Sequence, residues 1–185
     1  LAKALCEGGL PVAEVTYRTA CAQDAIRIMA EAYPEMIVGA GTVLTCEQVD
    51  GAIAAGAKFI VSPGLNPKVV KYCQEKNVPI TPGTARPTDI EMALELGLDV
   101  VKFFPAEAAG GIKMIKAMAA PYGNVKFMPT GGVNLSNVAD YLSVPEIICC
   151  GGTWIAPKAS VEAEDWAKIE TLALEASSLF RSIKG

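Results

Sequence analysis

The sequence predicts an α/β protein built as a (β/α)8 TIM barrel, because short apolar runs alternate regularly with helical segments. The runs recur about every 20 to 25 residues, and most of them close on glycine or proline. Strands that alternate with helices pair in parallel through right-handed crossovers, and about eight such units close into a barrel.

The predicted elements begin with a helix. The run LAKALCEGG, residues 1–9, has helical character and ends on glycine. Seven strands are predicted at 12–18, 36–43, 58–64, 78–83, 99–105, 125–132 and 146–152. Helices are predicted at 21–33, 45–56, 66–77, 86–97 and 110–123, and an amphipathic closing helix at 162–185. We therefore expect a single domain over residues 1–185 whose first barrel strand is missing from the N-terminus of this chain.

The alternative architecture is an open, doubly wound parallel sheet. In that fold a glycine-rich turn, G-x-G-x-x-G, often follows the first strand. The run GAGTVL at 39–44 matches half of this pattern and lacks the third glycine. The barrel is the preferred prediction.

Charge and composition exclude several classes of partner. The net charge of −4 and a sequence pI near 5.0 give no basic field for nucleic acid or anionic membrane. No apolar stretch approaches the roughly 18 residues of a membrane span, and the N-terminus lacks a signal-peptide layout. The six cysteines form no C-x-x-C pair, so we expect small core residues in a reduced, cytoplasmic protein.

The sequence contains no histidine. This excludes Ser-His-Asp and Cys-His catalysis and the usual imidazole zinc site. We expect no metal and no cofactor, and acid-base work would fall to Glu, Asp, Lys, Tyr, Cys or bound water.

One lysine, Lys102, interrupts the apolar run DVVKFFP. Burial among apolar groups destabilises an ammonium, and the resulting neutral amine can attack a carbonyl. Lys126 in VKFMP is a rival, although its position soon after a loop predicts a lower place in its strand. For either lysine the structural alternative is a buried ion pair, for example Lys102 with Glu14.

Polar residues at the predicted strand ends are the other candidates, because barrel active sites lie at the carboxyl ends of the strands. Strand alternation places Glu14, Thr16 and Arg18 on one face. Glu14 is a candidate base or an ion-pair partner, and Arg18 is a candidate anion clamp or a surface residue. Pro63 also stands at a strand end.

Two glycine pairs end the last two predicted strands, in PTGG and CCGGT. Glycines let backbone N–H groups approach a phosphate closely, and a threonine hydroxyl can add a donor. We therefore predict a phosphate site formed by Thr130, Gly131, Gly132, Gly151, Gly152 and Thr153. The alternative is that these glycines only make tight turns.

Taken in order, EVTYRT, GAGTV, SPG, KFFPAE, PTGG and GGTW closely resemble the 2-keto-3-deoxy-6-phosphogluconate (KDPG) and 4-hydroxy-2-oxoglutarate (KHG) aldolases. The resemblance covers almost the whole chain. It implies a class I aldolase on a (β/α)8 barrel, usually a homotrimer, that cleaves KDPG to pyruvate and glyceraldehyde 3-phosphate without a cofactor.

The resemblance also assigns roles to residues. It implies that Lys102 forms the Schiff base and that Glu14 moves protons through a water. Around the pyruvyl part of the keto-acid sugar phosphate it places Arg18, Thr42 and Pro82 beside Lys102. The distal part and its phosphate would lie against Thr130, Gly131, Gly132 and Thr153.

The sequence departs from the family pattern at two places. Thr153 replaces a serine, which keeps the hydroxyl and adds a methyl that can shift the preference between phosphorylated and smaller substrates. Thr84 and Arg86 replace apolar residues, and we expect Arg86 to face solvent. The alternatives to KDPG cleavage are an additional activity on KHG, the 6-phosphogalactonate epimer as substrate, and a phosphate-binding barrel that is not an aldolase and does not need Lys102.

Overall fold

The computed structural model describes residues 1–185 and has an α/β fold with six parallel strands. The strands are β1 (Val12–Thr16), β2 (Ile37–Gly41), β3 (Phe59–Ser62), β4 (Ile80–Thr84), β5 (Val100–Phe103) and β6 (Lys126–Pro129). They pair in sequence order, β1 to β6, which is the order that repeated right-handed βα units produce.

Nine helices surround the sheet. They are α1 (Ala2–Glu7), α2 (Ala22–Ala32), α3 (Cys46–Ala54), α4 (Pro67–Glu75), α5 (Pro87–Glu95), α6 (Gly111–Ala119), α7 (Val138–Leu142), α8 (Lys158–Glu162) and α9 (Trp166–Lys184). The helices predicted from the sequence are all present. None of the nine is both long enough and apolar enough to cross a membrane.

Local sequence explains where several helices begin and end. Asn66 caps α4 by accepting a 3.0 Å hydrogen bond from Lys68 N, and Pro67 occupies the first turn, where its missing N–H is harmless. Thr45 caps α3 in the same way through Gln48 N, at 3.2 Å. After α3 the chain turns at Gly56 with a φ of 95°, a conformation that favours glycine.

The sheet is rolled rather than flat. Four strand spacings separate β1 from β5, which on a flat sheet is about 19 Å. In the structure Glu14 of β1 and Lys102 of β5 nevertheless approach to 3.8 Å between Oε1 and Nζ. The carboxyl half of the sheet therefore curls around to face its beginning.

The seventh strand predicted at residues 146–152 is not formed as a regular strand. Residues 146–152 form only two isolated parallel bridges to the β6 side, Phe127 with Ile147 and Thr130 with Gly151. The hydrogen bonds begin regularly, with Ile148 N donating to Phe127 O, and the next donor along β6 would be Pro129, which has no N–H. The ladder is interrupted there and resumes at Gly151 N, which donates to Pro129 O.

Two hydrophobic clusters hold the rolled sheet. One packs β1 to β4 against the early helices, with fully buried residues such as Ile26, Val38 and Ile60. The other surrounds β5 and β6, with Phe103 and Phe127 at its centre. Outside the sheet α9 packs on α1, where Ser177 Oγ donates a 3.0 Å hydrogen bond to Gly8 O.

Candidate active site

The centre of the site is Lys102, the one charged residue among the buried residues. It lies near the carboxyl end of β5, and its Nζ is 3.8 Å from Glu14 Oε1 and 5.0 Å from the centre of the Phe104 ring. Burial lowers the pKa of the Lys102 ammonium, the Glu14 carboxylate partly opposes this shift, and the Arg18 guanidinium adds to it. This environment favours the neutral amine, which is the nucleophilic form.

Two glycines of β2 make room for these groups. The register pairs Gly39 with Glu14 and with Phe59, so all three share the inner face of the sheet. A Cβ atom on Gly41 would overlap the Glu14 carboxylate, and one on Gly39 would overlap the Phe59 ring. Glycine is therefore needed at both positions, because the Phe59 ring and the Glu14 carboxylate occupy the space of a side chain. The space at Gly41 lets the Glu14 carboxylate approach Lys102.

Lys126, the rival nucleophile, lies lower in the rolled sheet. It pairs with Val100, whereas Lys102 pairs with Met128, two residues nearer the carboxyl end. Lys126 is also only half-buried. Its position agrees with the expectation from the sequence that it would lie nearer the loop before β6.

Arg18 follows β1 at the open end of the sheet. Its side chain is exposed, and its guanidinium has neither an ion pair nor a hydrogen bond within the chain. It is close enough to Lys102 for its charge to lower the pKa of that amine. An unpaired guanidinium near Lys102 is suited to bind the carboxylate of a keto acid.

Thr42 follows β2 with a φ of 56°, which is unusual for a β-branched residue. Such strain persists where the surroundings impose it, and it is frequent in ligand sites. Thr42 is half-buried at the same end of the sheet as Arg18.

Pro82 differs from the other predicted ligands. The register places Gly83, not Pro82, beside Lys102, and successive residues of a strand point to opposite faces. Pro82 therefore faces away from Lys102 into the buried outer layer. The backbone carbonyl of Pro63 lies on the inner side, since a Cβ atom on Gly83 would overlap it.

The two glycine turns lie side by side, joined by the bridge between Thr130 and Gly151. Within the chain no acceptor is present for the N–H groups of Gly131, Gly132, Gly152 and Thr153. Thr130 Oγ1 is buried without a hydrogen-bond partner and lies against Gly151. The four N–H groups without a partner, on two neighbouring turns, form a candidate cradle for a phosphate.

The remaining polar candidates lie elsewhere. Arg86 is exposed, as expected, and its guanidinium pairs with Asp89 Oδ1 at 3.4 Å. Cys73 is the one fully buried cysteine, and Cys21 is exposed, so the expectation that all six are core residues was wrong for Cys21. Burial raises the pKa of Cys149 to about 11 and that of Cys150 to about 12, which keeps both as thiols.

Sequence reasoning missed three contributors to the site. No role was predicted for Phe104, whose ring lies beside the Lys102 amine. The roles of Gly39 and Gly41 were also missed, although GAG was noted. The signal was present, because two glycines two residues apart in a buried strand indicate that another group occupies their inner face.

Known aldolases resemble this sequence over most of its length. Residues 1–172 match the family model described as KDPG and KHG aldolase. A 2-dehydro-3-deoxy-phosphogluconate aldolase of Haemophilus influenzae is 50% identical over 98% of this chain and 85% of its own length. A KHG/KDPG aldolase of Escherichia coli is 46% identical over 95% of this chain and 83% of its own length.

A solved structure gives the same result. A KDPG aldolase from Legionella pneumophila, with pyruvate captured as a covalent carbinolamine intermediate, superimposes with a TM-score of 0.93. It is 40% identical, and the match covers 95% of this chain and 85% of that one. These matches confirm the resemblance found in the sequence: the chain belongs to the KDPG and KHG aldolase family.

Proposed function

We propose that this protein is a class I aldolase that cleaves KDPG to pyruvate and glyceraldehyde 3-phosphate. The observation that carries the proposal is a buried amine, Lys102, 3.8 Å from a carboxylate and at the same strand ends as an anion cradle. Family membership supports the reaction, because the relatives at 44 to 50% identity include KDPG aldolases.

The chemistry begins at the neutral Lys102 amine. Nζ attacks the C2 ketone of the substrate and forms a carbinolamine, and loss of water gives a protonated imine. Glu14 is placed to accept and return protons through a water in these steps. The pyruvate carbinolamine captured in the Legionella enzyme is the corresponding intermediate in that protein.

The protonated imine then serves as the electron sink for cleavage. The C4 hydroxyl gives up its proton, the C3–C4 bond breaks, and glyceraldehyde 3-phosphate leaves. The electron pair of that bond moves into an enamine, which takes a proton at C3. Water then adds to the imine carbon, and the Lys102 amine is regenerated as pyruvate departs.

The binding roles divide between the two sides of the site. Arg18 and Thr42 hold the pyruvyl carboxylate next to Lys102. The free N–H groups around Gly131, Gly132 and Gly152 hold the phosphate, with the hydroxyls of Thr130 and Thr153 as additional donors. Pro82 has no binding role in this proposal, because it faces the outer side of the sheet.

The experiment that tests the proposal is borohydride reduction with pyruvate, followed by peptide mass mapping. The expected result is a pyruvyl adduct on Lys102. An adduct on Lys126 would keep the imine chemistry and move the site. A folded sample without any adduct would reject the mechanism and leave a phosphate-binding barrel of another kind. Full KDPG turnover by Lys102→Ala would reject the imine at Lys102 and keep the aldolase activity.

A second substrate is supported by a specific match. The E. coli relative is a KHG/KDPG aldolase, and we propose that this chain also cleaves KHG to pyruvate and glyoxylate. The galactonate epimer of KDPG is the remaining alternative. The solved KDPGal structure is 25% identical with a TM-score of 0.86, and parallel kinetics with the two epimers separates the substrates.

We further propose that residues 1–185 form one barrel domain. The support is the rolled sheet, in which β1 and residues 146–152 leave a seam that one additional strand would close into a (β/α)8 barrel. We propose a homotrimer, as implied by the family, in the reducing cytoplasm. Six unpaired cysteines are consistent with that compartment, and the acidic charge disfavours nucleic acid and anionic membrane as partners.

A further inference from the structure

Glu107, in the loop between β5 and α6, occupies a gap that two glycines leave open. A Cβ atom on Gly132 would lie 2.5 Å from Glu107 Cγ. One on Gly111 would lie 3.2 Å from Glu107 Oε1. Both glycines have positive φ, 85° and 58°, so the chain bends around the glutamate on two sides.

The backbone N–H groups of the same loop bond to carbonyl groups in residues 130–132, the turn proposed to bind phosphate and called the phosphate turn below. Ala106 N donates to Thr130 O at 2.8 Å, and Glu107 N donates to Gly131 O at 3.0 Å. The next carbonyl, that of Gly132, accepts from the side-chain amides of Asn134 and Asn137 at 3.0 and 3.1 Å. All three carbonyls are bonded within the protein, whereas the N–H groups of Gly131 and Gly132 have no acceptor in the chain.

A buried tyrosine holds the carboxylate. Tyr141 in α7 is 1% exposed, packs in the cluster around β5 and β6, and donates its hydroxyl hydrogen to Glu107 Oε1. Burial and this hydrogen bond raise the pKa of Tyr141, so the phenol remains the donor. Glu107 itself is an exposed residue, which means that its carboxylate is fixed from the inner side only.

We propose that Glu107 and Tyr141 act together as positioning residues for the phosphate turn at Gly131 and Gly132. This inference rests on the proposed function and deepens it, because it identifies what keeps the anion cradle open. Glu107 fills the space over Gly132, and Tyr141 keeps the negative charge turned away from the bound phosphate.

The arrangement has an electrostatic consequence that simple packing does not have. Without the phenol, the Glu107 carboxylate is free to swing toward the turn and repel a phosphate. Without the charge, an amide at the same position fills the same space and does not repel. Tyr141→Phe should therefore weaken phosphate binding more than Glu107→Gln does, and adding Glu107→Gln to Tyr141→Phe should restore part of the loss.

The test combines KM and kcat for KDPG with inhibition by inorganic phosphate. In Tyr141→Phe we expect the KM for KDPG and the inhibition constant for phosphate to rise about tenfold, the value of one hydrogen bond to a charged group. The double variant should recover at least threefold of this. Pyruvate proton exchange with deuterated water, which needs the imine and no phosphate, should change less than twofold.

A matched control removes a similar hydrogen bond elsewhere. Tyr122 donates to Glu91 Oε1 at 2.9 Å on the surface, so Tyr122→Phe should leave every parameter unchanged. Unchanged phosphate inhibition in Tyr141→Phe would overturn the inference, and so would a double variant worse than either single one. If the unsubstituted protein shows no proton exchange, the proposed function fails, and phosphate affinity alone then decides the inference.

Discussion

At the residue scale the site depends on opposing charges around one amine. Lys102 lies between Glu14, which favours its ammonium, and Arg18, which disfavours it. Burial is the larger effect and lowers the pKa of the amine. Each neighbour should therefore move the titration of Lys102 in its own direction.

Removing these neighbours should shift the titration of Lys102 in opposite directions. Glu14→Gln removes the charge that stabilises the ammonium, so the pKa of Lys102 falls further and the neutral amine persists to lower pH. Arg18→Ala removes a repulsive charge, so the pKa rises. The measurement is the pH dependence of Lys102 acetylation by neutral 4-nitrophenyl acetate, followed by peptide mass mapping.

Glu91→Gln removes a carboxylate that bonds Tyr122, outside the site, and should leave the midpoint of Lys102 acetylation unchanged. Equal midpoints in Glu14→Gln and Arg18→Ala would contradict the charge assignment.

Gly41→Ala should disable the proton-transfer step while leaving the fold intact. The added methyl overlaps the Glu14 carboxylate, which must rotate away from Lys102. Since a positioned acid-base group contributes about 10²-fold or more, we expect kcat for KDPG to fall at least tenfold. Gly64→Ala is the matched control, because a Cβ atom there meets nothing within 4 Å. Normal turnover by Gly41→Ala would show that Glu14 does not need its present position.

Much of the site at this scale was predictable, because chemistry-bearing residue types are rare in buried strands. Lys102 and Glu14 stand out from apolar neighbours, and strand alternation predicted that Glu14 shares a face with Thr16 and Arg18. The orientation of Pro82 was not predictable from the motif alone. Its parity relative to Lys102 depends on the register between β4 and β5, which is set by packing across the sheet.

At the element scale one proline, Pro129, limits strand pairing, and one glycine, Gly8, permits close helix packing. Pro129 has no N–H to donate to residues 146–152, so their pairing with β6 is interrupted there and consists of isolated bridges. The apolar pattern predicted a strand there, because hydropathy records burial and not the presence of a donor. Helix positions were predicted better, since caps such as Asn66 and Thr45 are local signals.

Gly8 sets the distance between α1 and α9. A Cβ atom at this position would lie 2.5 Å from Ala173 Cβ and 2.7 Å from Glu170 O. Gly8→Ala should therefore lower the free energy of unfolding by about 1 to 3 kcal/mol, the usual cost of overpacking. Urea denaturation measures it, with Gly123→Ala as the control, where a Cβ atom has open space. Equal midpoints for the two variants would contradict the close packing of these helices.

At the whole-molecule scale the sheet is rolled so that β1 meets β5 across the interior. The sequence predicted this roll through the count of βα units and not through any single contact. How the two edges of the sheet meet was not predictable, because β1 is an edge strand and closure would need pairing between distant segments. The α/β fold with parallel strands is confirmed, and the closed eight-stranded barrel stays a proposal.

The proposed homotrimer can be tested by the mass of the protein in solution. Light scattering of the purified protein should give three times the 19.4 kDa mass of one chain. Apolar side chains such as Leu44, 52% exposed, and Met92, 38% exposed, are available for burial between subunits. A single-chain mass at micromolar concentration would contradict the homotrimer.

The two proposed reacting groups, Glu14 and Lys102, meet in the rolled sheet from different hydrophobic clusters. Glu14 lies between residues that pack on the β1–β4 cluster, and Lys102 lies between Val101 and Phe103 of the other. A chain divided between Ala85 and Arg86 would separate them onto two fragments. If the two fragments reassemble, borohydride trapping of pyruvate on Lys102 would detect the reassembly directly. The two halves of this fold could therefore serve as a split reporter that is read out by a covalent adduct.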